Sequence, residues 1–169
     1  MNKAITLNLF SRLAILSLTI LICVYCDQST KTEARSHLHG HSSISLLDNT
    51  FYLVYAENTG TMLGVGSKLP ENVRHLLFVG VVGIVLFGAI AFVLVKSLRI
   101  TTVLAVSLVV GGGISNLIDR VIHNGSVIDF MLIKIGSIES GIFNIADIAI
   151  TFGTCILCLI FIGSHSKSA

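Results

Sequence analysis

Three apolar runs of membrane length constrain this chain more than any other feature. His75–Val95 holds 21 residues, Ile100–Ile118 holds 19 and Ser140–Gly163 holds 24, and Asp147 is the only Asp, Glu, Lys or Arg in them. A helix needs about 20 mostly apolar residues to cross hydrocarbon. Inside a bilayer every backbone N–H and C=O must be satisfied within the protein, so such runs are helical. A fourth run, Ala4–Cys26, is interrupted by Arg12, which can snorkel to the near interface if the span covers about 9–26. Only 12% of the 169 residues are charged, against about 25% in soluble domains. The expected class is an all-α integral membrane protein of one domain, residues 1–169. Its four transmembrane helices are expected at about 9–26, 75–95, 100–118 and 140–163, with outer loops 27–74 and 119–139. The net charge of +2 gives no reason to expect a nucleic-acid partner.

The first run has the basic start and apolar core of a signal peptide, but no small-x-small site precedes Asp27 and no small residues precede Cys23 or Cys26. It reads as an uncleaved helix. Basic residues set direction. Lys96 and Arg99 crowd a four-residue link, Lys3 and Arg12 mark the start and Lys167 the tail. With four spans these lie on one side, taken as cytoplasmic. The pairs Cys23/Cys26 and Cys155/Cys158 fall in different apolar runs at different depths. They read as small buried hydrophobes rather than zinc ligands. In loop 27–74, Ser43–Tyr55 is rich in β-branched and aromatic residues and reads as short strands of a small sheet on the membrane. His37, His39 and His41 have no accompanying acidic or cysteine ligand and read as a flexible solvated loop.

The polar residues gather at one depth. Asn116, Asp119 and Arg120 close the third span, Asp129 follows in the loop, and Asn144 and Asp147 open the fourth. Asp27 and Lys31 follow the first span, while Asn58 and Gly60 lead back towards the second. An ionised Asp in hydrocarbon costs roughly 2.5–3.5 kcal/mol or more, so Asp147, expected a turn and a half inside its span, needs a chemical reason. Two carboxylates that share a proton supply one. Milder readings apply to the others: Asp27 and Lys31 as an interfacial i, i+4 ion pair, Arg120 as the neutraliser of a nearby carboxylate, Asn116 and Asn144 as interhelical glue. Gly111–Gly113 reads as close helix packing. No Ser–His–acid set or H-E-x-x-H motif is visible. An ion-coupled transporter would carry polar residues deeper, yet Val81–Val95 and Cys155–Ile162 are apolar. An assembly or chaperone subunit would still support its partner with either Asp replaced by Asn.

Five motifs in order resemble the bacterial lipoprotein signal peptidases (signal peptidase II). They are Asp27-Gln28-x-x-Lys31, Asn58-Thr59-Gly60, Gly112-Gly113-x-x-Asn116-Leu117-x-Asp119-Arg120, Val127-x-Asp129-Phe130 and Phe143-Asn144-x-Ala146-Asp147. The resemblance implies an aspartic endopeptidase of the bacterial cytoplasmic membrane, termini inside and site at the outer face. It implies removal of signal peptides from diacylglyceryl-modified prolipoproteins by cleavage before the lipidated cysteine. It implies Asp129 and Asp147 as the catalytic pair, with Asn58, Gly60, Asn116, Asp119, Arg120, Asn144 and Ala146 supporting or binding substrate and Asp27 and Lys31 structural. No metal or cofactor is implied, the partners beyond substrate are membrane lipids, and the expected state is a monomer. Residues 32–72 would match the family's extracytoplasmic cradle. The chain departs from the family at Thr61-Met62-Leu63, where small residues and a phenylalanine are usual; this bears on substrate or inhibitor fit.

Overall fold

The computed structural model describes residues 6–60 and 65–165; the departure at Thr61-Met62-Leu63 lies outside them. The apolar runs form helices, each long and apolar enough to cross a membrane: α1 (Leu9–Leu38), the span Glu71–Val95, α4 (Ile100–Ile122) and α5 (Ile145–His165). The second span is α2 (Glu71–His75), a π-helical segment Leu76–Val81 and α3 (Val82–Val95). Between the helices run β1 (Ile44–Leu46), β2 (Phe51–Asn58), β3 (Val127–Ile135) and β4 (Ile138–Phe143).

Asn8 caps α1, its Oδ1 accepting the Ser11 N–H at 2.8 Å. The helix then passes the expected boundary at residue 26 and ends only at Leu38. Its buried stripe of Cys23, Asp27, Lys31, Ala34 and Leu38 recurs at helical spacing, so one continuous face serves first the bundle and then the sheet. The loop expected over 27–74 is therefore partly helix, and Ser36–Leu38 is not solvated loop. Likewise α4 runs to Ile122, which puts Asp119 and Arg120 inside the helix. The fourth helix starts at Ile145 rather than Ser140 because 138–143 pair as β4. Asp147 therefore lies in the first turn of α5, not a turn and a half inside a span.

Helix α4 is central, packing on α1, α3 and α5. A side-chain carbon on Gly111 would meet Cys23 at 2.8 Å, one on Gly112 the Ala146 carbonyl at 2.4 Å, and one on Gly113 Leu86 at 2.6 Å. Three consecutive glycines thus admit three different helices to close approach, as expected. Gly112→Ala should destabilise by about 1–3 kcal/mol through overpacking against backbone, read as a lower Tm in detergent. Gly88→Ala, with nothing within 4 Å, is the matched control and should not lower Tm, since alanine favours a helix over glycine. Arg12 does not snorkel. It is buried, and its Nη1 donates to the carbonyls of Val93 (2.9 Å) and Lys96, satisfying the end of α3 with a cation where the helix dipole favours one. Only Cys23 is buried; Cys26, Cys155 and Cys158 are exposed on the apolar helix surface and all four thiols are free.

The strands form one antiparallel sheet in the order β1-β2-β3-β4. The expected strands of Ser43–Tyr55 supply only half of it; the other half comes from residues 127–143. Phe130 and Met131 seat the sheet on Ala34 and Leu38 of α1, with Phe51, Leu53, Tyr55, Phe143 and Ile145 around them. The histidines turn to local partners. His37 lies 3.4 Å from Glu33, His39 packs edge-on against Tyr55, and His41 Nδ1 lies 3.1 Å from the His39 carbonyl.

Candidate active site

The fold brings Asp129 on β3 and Asp147 on α5 to one spot where the sheet meets the helix ends. In β3, Asp129 pairs with Ala56, and Asn58 lies two residues further along β2 on the same face. A register shift between Leu53 and Ala56 re-aims this end of β2. The outcome is an Asn58 Nδ2 donation to Asp129 Oδ2 at 3.0 Å. Asn144, just before α5, donates from Nδ2 to Asp129 Oδ1 at 2.6 Å. It also makes a reciprocal cap with Asp147: Asn144 Oδ1 accepts the Asp147 N–H at 2.9 Å, and the Asn144 N–H donates to Asp147 Oδ2 at 3.2 Å. Asn116 Nδ2 donates to Asp147 Oδ1 at 3.0 Å.

Each of these three amides has its oxygen held by a group that can only donate. Gly60 N–H binds Asn58 Oδ1 at 2.9 Å, Asp147 N–H binds Asn144 Oδ1, and Lys31 Nζ binds Asn116 Oδ1 at 2.9 Å. An amide with its oxygen so engaged turns its NH₂ the other way, and here that is towards a carboxylate. Asp129 is 3% exposed, while Asp147 is half-buried. Burial pushes the Asp129 carboxyl up to about 6; the Asp147 charge adds to the rise, and the Asn58 and Asn144 donations and Lys31 oppose it. Beside Asp147 a cleft of about 240 Å³ is lined by Ser140, Phe143, Ile148, Thr151 and Phe152.

Behind the carboxylates lies a second polar cluster, none of it more than 2% exposed: Asp27, Lys31, Ser115 and Asp119. Lys31 Nζ bridges Asp27 Oδ2 at 2.6 Å and Asp119 Oδ2 at 2.8 Å. The expected i, i+4 ion pair of Asp27 and Lys31 is thus present, and it is buried within the protein. Asp27 also accepts from Ser115 Oγ (2.7 Å) and Ala146 N (2.9 Å), and Asp119 from Gln28 Nε2 (2.8 Å) and Ile128 N (3.0 Å). Ala146 therefore joins α5 to α1 through its backbone. Arg120 pairs with no carboxylate among the described residues. It donates to the carbonyls of Gly60 and Gly125 and lies 4.9 Å from the centre of the Phe78 ring, in the π segment. Lys31 makes the direct ion pairs, while the Arg120 charge acts on Asp129, Asp119 and Asp147 from beyond ion-pair distance. Sequence reasoning gave Ser115 and Phe78 no role. The one signal for Ser115 is its place one turn before Asp119 and next to Asn116.

Known proteins bear on this geometry. The family described as signal peptidase (SPase) II matches residues 19–163, which include both carboxylates, all three asparagines and the lysine. The chain belongs to the signal peptidase II family. Among the similar relatives, the lipoprotein signal peptidase of Syntrophus aciditrophicus is 34% identical over 155 residues, 90% of this chain and 94% of that one. The lipoprotein signal peptidase of Chlorobium phaeobacteroides is 39% identical over 148 residues, covering 82% and 84%. In fold, the chain matches a solved bacterial membrane enzyme with a TM-score of 0.77 at 22% identity, over 99% of this chain and 97% of that one. The five motifs that resembled signal peptidase II thus mark a true member, a multi-pass bacterial membrane protein.

Proposed function

We propose that Asp129 and Asp147 are an aspartic dyad that hydrolyses the bond between signal peptide and mature lipoprotein. The chain is a lipoprotein signal peptidase, which removes signal peptides from prolipoproteins. The observation that carries the mechanism is the convergence of three oxygen-pinned amides on two carboxylates. Two carboxylates joined through Asn144, with the Asp147 charge pushing the Asp129 carboxyl up, resist double ionisation, so the pair keeps one proton. The ionised carboxylate takes a proton from water as its oxygen attacks the scissile carbonyl carbon. The protonated one gives its proton to the carbonyl oxygen. Collapse of the tetrahedral adduct breaks the C–N bond, with a proton passing to the leaving amine. One water is consumed and the dyad regains one proton. Proton transfer does all of this without metal or cofactor.

The sheet end of the bundle faces outward in this proposal and both termini are cytoplasmic. A substrate anchored by its diacylglyceryl group has its bond held at a fixed depth, since acyl chains contribute about 0.8 kcal/mol per buried CH₂. The four-stranded sheet lies over that bond as a cradle, and the apolar cleft beside Asp147 receives the peptide. The enzyme works as a monomer among membrane lipids, with residues 1–169 as one catalytic domain.

The pH profile tests the mechanism. The active form holds one proton, so kcat/KM should fall tenfold per pH unit once the pair loses it, near pH 6 from the Asp129 value. The Asn58 donation favours ionised Asp129. Removing it in Asn58→Ala favours the neutral form, raises the pKa and moves the alkaline limb to higher pH. A limb that stays put or moves down contradicts the assignment.

A further inference from the structure

We infer that Lys31 is a positioning residue for the reaction: its ammonium sets which way the Asn116 amide faces, so that Asn116 donates to Asp147. The inference rests on the dyad reading. An ammonium has three donors and no acceptor. Lys31 Nζ meets three side-chain oxygens, Asp27 Oδ2 at 2.6 Å, Asp119 Oδ2 at 2.8 Å and Asn116 Oδ1 at 2.9 Å. They match its three protons. Two belong to carboxylates that lock the ammonium from opposite helices, α1 and α4; the third is the amide. With Lys31 2% exposed, the ammonium has no solvent alternative.

The flipped Asn116 rotamer would set NH₂ against ammonium and amide oxygen against the Asp147 carboxylate, two repulsive contacts at once. Asn144 reinforces the choice by donating to Asn116 Oδ1 at 3.2 Å. Asn58 and Asn144 need no such residue, because backbone N–H groups hold their oxygens. Asn116 sits mid-helix in α4, where backbone N–H groups are already committed to the helix. Its oxygen can be held only by a side-chain donor, and the long stem of Lys31 delivers one from α1. The same role gives a reason for a buried cation flanked by two buried anions. Lys31 alone would impose a positive field on the dyad, whereas Asp27, Lys31 and Asp119 together carry a formal charge of −1. The other charged group acting on the pair is Arg120 from α4, itself near Arg74 of α2.

The decisive variant is Lys31→Met/Asp119→Asn. It removes one positive and one negative charge, so the local sum stays at −1, and the amide introduced by Asp119→Asn keeps an acceptor for the Ile128 N–H. A Lys31 that acts only through its charge, which opposes the rise of the Asp129 carboxyl, predicts a displacement that persists in full on top of Asn116→Leu. A positioning Lys31 predicts that Asn116 loses its bias, its donation to Asp147 weakens, and the neutral carboxyl is favoured. Then kcat should fall about 10- to 100-fold, the range for a hydrogen bond to a charged group, with KM little changed and the alkaline limb displaced to higher pH. Asn116→Leu, which leaves the ion cluster intact, should give the same displacement, and combining it with Lys31→Met/Asp119→Asn should add nothing further. An unmoved limb in the charge-matched variant, or additive displacements in the combination, overturns the inference. Asp129→Asn and Asp147→Asn run alongside: activity in either defeats the dyad itself, while their inactivity with an unmoved limb defeats only the role of Lys31.

Discussion

Asp129→Asn and Asp147→Asn should each lower prolipoprotein cleavage by at least about 10³-fold, within the range for losing a positioned acid or base. The double variant should be no slower than either single one, because groups that act as a unit are lost together. Both variants should still fold. Each Asn keeps one oxygen for the existing donors, but its NH₂ meets a donor at the other position: Asn58 or Asn144 beside residue 129, and Asn116 or the Asn144 N–H beside residue 147. That mismatch costs about 1–3 kcal/mol, partly offset by removing a buried charge. The measurement is cleavage of a lipidated substrate by purified variants, with Tm in the same detergent. Activity within tenfold of wild type in either variant would remove that carboxylate from the mechanism.

Asn144→Ala should have the second largest effect, for a different reason. Asn144 touches both carboxylates, and it also donates to Asn116 and to the Ile128 carbonyl. Truncation removes a charge-assisted bond to Asp129 and the side-chain cap on the Asp147 N–H. Losing a cap costs about 0.5–2 kcal/mol of stability, and losing a bond to a charged group about 10- to 100-fold or more in rate. Asn144→Ser separates the two. Its hydroxyl can still accept the Asp147 N–H as a helix cap, so Tm should recover. It is too short to donate to Asp129, so kcat should not. Recovery of both would mean that Asn144 serves the helix alone.

The residues of the site were legible because hydrocarbon makes every polar residue conspicuous. Asp147 stood out in an otherwise uncharged run, and motif order tied it to Asp129. Their connections were harder to read. Whether Arg120 or Lys31 serves the carboxylates depends on the direction each side chain leaves its helix. Arg120 turns to the carbonyls of Gly60 and Gly125, whereas Lys31 turns inward because α1 continues as a helix to Leu38. Hydropathy could not show that continuation, since it ends a span where polar residues begin. The β3–β4 hairpin was missed for a related reason. Ser140–Phe143 reads as the start of an apolar helix, yet pairs with β3 in a register where Gly141 takes a φ of 75°. That strand delivers Asn144 to Asp129 and leaves Asp147 in the first turn of α5. The asparagine pattern was visible only in part: Asn58-x-Gly60 carries its own local donor, while Asn116 takes its partner from a residue 85 positions away.

The most direct test of a dyad with one shared proton is infrared titration of the detergent-solubilised enzyme, following the carbonyl band of a protonated carboxylic acid across pH 4 to 8. Wild type should show a band that titrates near 6. It should vanish from that position in Asp129→Asn and move to lower pH in Asp147→Asn, where the repelling neighbour is gone. A band near 6 left unchanged by both substitutions would contradict the account.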